Sequence, residues 1–170
     1  MAPEPENVAR PKGLAHTIIT GWALVGGLVL LAVVLINAWS ILSGTLFNKP
    51  FPGDFELTEM GTAIAIFCFL PYCQFTGVNV SADIFTMNAG RRSVAVMSLI
   101  AAIVAVLFAG LLLWRMSAGL QDYREYEEFT GILAIPIWWA FVPTLVSLVL
   151  LIWASLITLR DALENMSGRP

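Results

Sequence analysis

Of the 170 residues, 58% are hydrophobic and only 12% charged, with a mean hydropathy of +0.81; soluble domains carry roughly twice that charge, so there is too little polar surface to wrap a water-soluble globule. The length holds one domain, three or four bilayer crossings would use nearly all of it, and a separate soluble catalytic domain is excluded. A net charge of −3, with nine basic residues scattered along the chain, excludes the electrostatic footprint of a nucleic-acid-binding protein.

In chain order, Met1 to Lys12 carries three prolines and mixed charge and reads as a short leader before an uncleaved anchor, the cytoplasmic stretch running to residue 16. Four stretches free of Asp, Glu, Lys and Arg follow: Gly13 to Asn48, Met60 to Ala82, Ser93 to Trp114 and Phe129 to Leu159. Each is long enough to cross the hydrocarbon core. The expected fold is therefore all-α, a single membrane domain over residues 1–170 with four transmembrane helices at about 17–47, 59–82, 93–115 and 135–160.

The first helix should stop near Phe47, where Asn48-Lys49-Pro50-Phe51-Pro52-Gly53 supplies two prolines and a glycine as breakers. Its excess length implies tilt or an interfacial extension. Gly21, Gly26 and Gly27 lie on this helix, and Ala101, Ala105 and Ala109 on the third; the alanines, four apart, form a small-residue stripe suited to close packing. Cys68 and Cys73 on the second helix point about 140° apart and read as packing residues, neither disulfide nor metal pair. In the fourth stretch Pro136 suits a first helical turn, Pro143 should kink the helix, and Trp138 and Trp139 should sit at the membrane interface.

Basic residues set the expected orientation. Arg10, Lys12, Arg91, Arg92, Arg160 and Arg169 fall on one side, against Lys49, Arg115 and Arg124 on the other, which places both termini in the cytoplasm and the loops Lys49 to Glu59 and Arg115 to Glu128 outside. Those outer loops are acidic. Asp54, Glu56, Glu59, Asp122, Glu125, Glu127 and Glu128 outnumber the three basic residues, a face that could meet a partner carrying basic patches or could simply be solvated.

The four stretches contain no Asp, Glu, Lys or Arg, which counts against a self-sufficient pump, a proton-coupled antiporter or a voltage sensor. The lone histidine, His16, excludes haem held by two histidines. No phosphate loop, metal cluster or nucleophile triad can be assembled, so no catalytic residue, cofactor or metal is assigned. The polar residues within the spans are mild: Asn37, Ser40, Ser43, Gln74, Thr76, Thr144, Ser147 and Ser155. They suit hydrogen bonds between helices. Glu59 near the start of the second helix is explained by the helix dipole. Asp83 near its other end could pair with Arg91, Arg92 or a basic group of another subunit.

Taken together, Leu57-Thr58-Glu59 opening the second helix, Phe69-Leu70-Pro71-Tyr72-Cys73-Gln74 within it, Asn79-Val80-Ser81-Ala82-Asp83 closing it and Ile135-Pro136-Ile137-Trp138-Trp139 opening the fourth resemble the DctQ-like small membrane subunit of tripartite ATP-independent periplasmic (TRAP) transporters. The resemblance covers Gly21 to Leu163. Asn79 stands where many members carry a histidine. The resemblance implies a multi-pass subunit of the bacterial inner membrane that is not an enzyme. Such a subunit scaffolds a large sodium-coupled transport subunit and helps dock a periplasmic solute-binding protein for uptake of an organic acid or similar solute. On that reading Glu59, Asp83, Arg91, Arg92, Arg115, Asp122, Arg124, Glu125, Glu127 and Glu128 are the candidate partner-interface residues. The alternatives are the membrane anchor of an oxidoreductase, or a homo-oligomeric channel in which Asn37, Ser40 and Ser43 line a pore.

Overall fold

The computed structural model describes residues 13–77 and 91–166, the side chains of 91–96, 98 and 164–166 excepted. Four helices make up the described chain: α1 (Leu14–Phe47), α2 (Asp54–Thr76), α3 (Arg91–Glu125) and α4 (Trp138–Met166). They form an open row in the order α1, α2, α4, α3: α2 packs on α1 and α4, α3 packs on α4, and α1 meets α4 at only a few positions.

The sequence explains why α2 sits between α1 and α4. Ile19, Ala23, Gly26, Val33, Ser40 and Ser43 are the buried residues of α1, and their spacing of three, four and seven draws one stripe along the helix. Across from it lie Gly61, Ala65, Cys68, Pro71 and Phe75 of α2. The two backbones approach most closely at glycines: a Cβ on Gly26 would fall 2.6 Å from Cys68 Cβ, and one on Gly61 would fall 2.4 Å from Val33 Cγ2. Gly21 and Gly27 face open space. On α3 the buried small residues are Ala102 and Ala109, the latter against Leu148 and Leu151 of α4. The expected stripe is thereby corrected, since Ala101 is exposed and Ala105 only half-buried; α3 presents positions seven apart, two full turns, to α4.

Three helices, α1, α3 from Leu99 and α4 to Leu163, are long and apolar enough to cross a membrane, and α2 is not among them. At 23 residues, α2 is about 35 Å long, so its lower apolarity and not its length sets it apart. Flanked by protein on two sides, it can carry Asp54, Glu56, Thr58, Glu59 and Gln74 with less lipid contact than its neighbours. The outer helices show the opposite pattern. Leu24, Leu28, Leu31, Leu35, Leu42 and Leu46 of α1, and Val104, Leu107, Phe108, Leu111 and Trp114 of α3, are exposed. In water such faces would be an aggregation liability; against acyl chains or another membrane protein they cost nothing.

Helix limits differ from expectation where apolarity and helix propensity part company. Helix α3 runs on to Glu125, ten residues past the expected end at 115, because Arg115 to Glu125 is polar but contains no proline. Charge ends a hydrophobic stretch without ending a helix. Helix α2 starts at Asp54, after Gly53 at φ 80°, with Asp54 and Glu56 in its first turn, where the helix dipole favours carboxylates. It ends at Thr76, with Gly77 left-handed at φ 72°. The expected continuation to residue 82, with Asn79 and Asp83, lies outside the described residues. Helix α1 stops at Phe47, as expected, with Asn48 left-handed at φ 52°. Pro136 lies ahead of α4, not in its first turn. It pairs with Phe129 across a short antiparallel bridge, in keeping with the extended backbone that proline imposes on the residue before it.

Candidate partner-docking surface

The α1–α2 and α3–α4 connections meet at one end of the row, because antiparallel neighbours return their loops to the same side. Leu133 of the α3–α4 loop lies against Gly53 of the α1–α2 loop, close enough that a Cβ there would meet Leu133 Cγ at 2.4 Å. The α1–α2 corner is tied by side chains. Asn37 Nδ2 donates to Thr58 Oγ1 at 2.6 Å and to the Val33 carbonyl at 2.9 Å, and Thr58 Oγ1 donates to the Asp54 carbonyl at 2.7 Å. Ser40 Oγ donates to Asp54 Oδ2 at 2.6 Å and accepts from the Phe51 amide at 3.2 Å. Asn37 and Ser40 therefore serve the helix pair. A pore lining would need those groups turned to open space.

Glu56 fastens the two corners together. Its Oε1 accepts from the Ile132 amide at 2.6 Å and its Oε2 from the Leu133 amide at 2.9 Å. Desolvation pushes its pKa up, but the amides of Leu133 and Ile132, with Thr130 and the Gly131 amide, outweigh it, and the carboxyl rests below the usual carboxylate range. A depressed carboxylate pKa means the clamp is intact above the ordinary carboxylate pKa and released as pH falls through the lower, folded value. Amide exchange at Ile132 and Leu133, corrected for intrinsic rates, is expected to stay slow from neutral pH to about 5 and to quicken in stronger acid. In Glu56→Gln it should be fast throughout. Equal protection in that variant at neutral pH would refute the clamp.

The expected interface residues separate into groups. Asp122, Arg124 and Glu125 occupy the last turn of α3, and Glu127 and Glu128 follow in the loop, all exposed. They are less loop-like than expected, because the α3 extension carries three of them. Arg115 lies inside α3, about 14 Å along the axis from Arg124, exposed beside Trp114; it does not join the others. Glu59 is exposed on the second turn of α2. Arg91 and Arg92 begin α3 at its opposite end, and Asp83 lies outside the described residues.

Arg124, Glu127 and Glu128 come together with Phe129, Pro136 and Trp138 around a cavity of about 300 Å³. The Arg124 guanidinium lies 5.9 Å from the Trp138 ring centroid, within cation–π range. Glu127 holds φ 49° at the turn that ends α3, and Ile137 N donates to the Glu128 carbonyl at 3.1 Å, so backbone geometry fixes the acidic rim. Two features escaped sequence reasoning. The Glu56 clamp joins residues 76 and 77 positions apart, with no local signal. The bond from Trp22 Nε1 to Ser147 Oγ, 2.8 Å across 125 positions, could have been suspected only from an indole donor facing a buried hydroxyl.

Residues 33–165 match the model of a family described as tripartite ATP-independent periplasmic transporters, DctQ component. No curated protein and no solved structure matches the chain.

Proposed function

The chain belongs to the DctQ family, the small membrane component of TRAP transporters, and from that premise we propose that it is the stator of an inner-membrane uptake system. As a component of a transporter it is not an enzyme. Within the proposal, all four helices cross the membrane, both termini lie in the cytoplasm, and the paired-loop end faces the periplasm. The partners are a large membrane subunit, which carries an organic acid or similar solute inward on a sodium gradient, and a periplasmic solute-binding protein.

The observation that carries this reading is the combination of exposed apolar faces on α1 and α3 with four stretches free of Asp, Glu, Lys and Arg. Such helices can hold a partner in the bilayer by packing but offer no buried charge through which to couple an ion. The acidic residues at the paired-loop end, Glu59, Asp122, Glu125, Glu127 and Glu128, together with Arg115 and Arg124, are proposed to orient the binding protein through complementary basic patches. Arg91 and Arg92, at the start of α3, are proposed to meet the large subunit together with Asp83.

Purifying the chain through a tag at its carboxyl terminus, in mild detergent from native membranes, is expected to recover a much larger polytopic protein in near-equal amount. Isolation of the chain alone, or with a redox enzyme, would overturn the stator reading.

A further inference from the structure

We propose that the cavity between the end of α3 and the start of α4 is a binding site for a zwitterionic phospholipid headgroup of the phosphoethanolamine type, the phosphate on Arg124 and the ammonium on Glu127 and Glu128. The site follows from three placements. First, the cavity lies at the depth of a headgroup: Trp138, one of its walls, is the first residue of α4 and opens the apolar run of that helix, where an indole marks the membrane interface. This holds whichever side of the membrane the loop faces.

Second, the cavity holds both charge signs unspent. Arg124 is steadied by the Trp138 ring; among the described residues no ion pair joins it to Glu127 or Glu128, although all three line the same space. A purely anionic ligand would be repelled by the two carboxylates, and a purely cationic one by the guanidinium. A ligand with a phosphate and an ammonium a few bonds apart satisfies all three. A headgroup with a primary ammonium also donates hydrogen bonds to the carboxylates, which a quaternary ammonium cannot.

Third, a path for acyl chains leads away from the cavity. At 100° per residue, Val142, Val149 and Leu156 lie within about 40° of Trp138 on the surface of α4, and they are exposed at 46%, 53% and 48%. The headgroup site therefore continues into an apolar stripe pointing down the bilayer. Phe129 and Pro136 complete the lining of the cavity.

The test is lipid retention. The full-length chain is reconstituted in an equimolar mixture of phosphatidylethanolamine, phosphatidylcholine and phosphatidylglycerol and re-extracted in mild detergent, and its bound lipid is counted by mass spectrometry. Phosphatidylethanolamine is expected to be enriched over phosphatidylcholine by about fivefold. The enrichment should fall to the mixture ratio in Arg124→Ala and in Glu127→Gln/Glu128→Gln, and persist in Asp122→Asn/Glu125→Gln, whose side chains are outside the cavity. No enrichment in the unaltered chain overturns the proposal without reference to any variant. So does enrichment that survives both cavity variants, enrichment lost equally in Asp122→Asn/Glu125→Gln, or a preference for phosphatidylglycerol that only Arg124→Ala removes. A chain that retains no lipid, while its cavity variants lose capture of the soluble binding protein, would overturn the lipid site and leave these residues to docking alone.

Discussion

Replacing Gly26 with valine should part α1 from α2 and lower the stability of the detergent-solubilised chain by about 3 kcal/mol or more. The Cβ alone would sit 2.6 Å from Cys68 Cβ and 3.2 Å from the Ala65 carbonyl oxygen. Neither obstacle can swing aside, since one atom is fixed to the backbone and the other belongs to it. Relief therefore requires the helices to separate, and dispersion contact is then lost along the stripe from Ile19 to Ser43. In a bilayer there is little hydrophobic force to press them back together. Thermal unfolding followed by circular dichroism should show a fall in midpoint of roughly 6–12 °C. Gly27→Val, with open space around that position, is the control and should change the midpoint little. Equal losses in both variants would point to helix propensity or membrane insertion as the cause and remove the close-approach argument.

Reversing Asp122, Glu125, Glu127 and Glu128 to lysine together is expected to cut solute uptake roughly tenfold or more, because charge complementarity acts chiefly on the rate of encounter and can change it by one to three orders of magnitude. All four residues are exposed at the end of α3 and in the loop that follows, so their removal leaves the packed helix faces intact. The large subunit should still co-purify. Uptake by the unaltered system should weaken as ionic strength rises, and uptake by the reversed variant should respond to salt much less. Unchanged uptake would sink the docking proposal, and loss of the large subunit would move these residues to the subunit interface.

The candidate site was legible in part. Its acidic character could be read directly, since Asp122, Glu125, Glu127 and Glu128 cluster between two apolar stretches. The position of Arg115 could not. Apolarity ends at Trp114 while the helix continues to Glu125, so a boundary drawn by charge put Arg115 in a loop with residues that stand about 14 Å away along the axis. The cavity was not legible either. Arg124 and Trp138 are fourteen positions apart, and their approach depends on the short bridge between Phe129 and Pro136, which returns the chain onto the end of α3.

What the sequence determined by itself is the class of protein and its helical content. A charge-free stretch of twenty or more residues has few stable forms other than a helix in lipid, where each backbone donor must find its acceptor locally. Breakers such as Asn48-Lys49-Pro50 act on the residues beside them, so the end of α1 followed from local chemistry alone. The tertiary structure decided the row α1, α2, α4, α3, the choice of Gly26 over Gly21 and Gly27, and the Glu56 clamp. Between helices that are all apolar, hydrophobicity expresses no preference for one neighbour over another. Shape at closest approach and a few long-range hydrogen bonds make the selection, and both exist only once the helices are side by side.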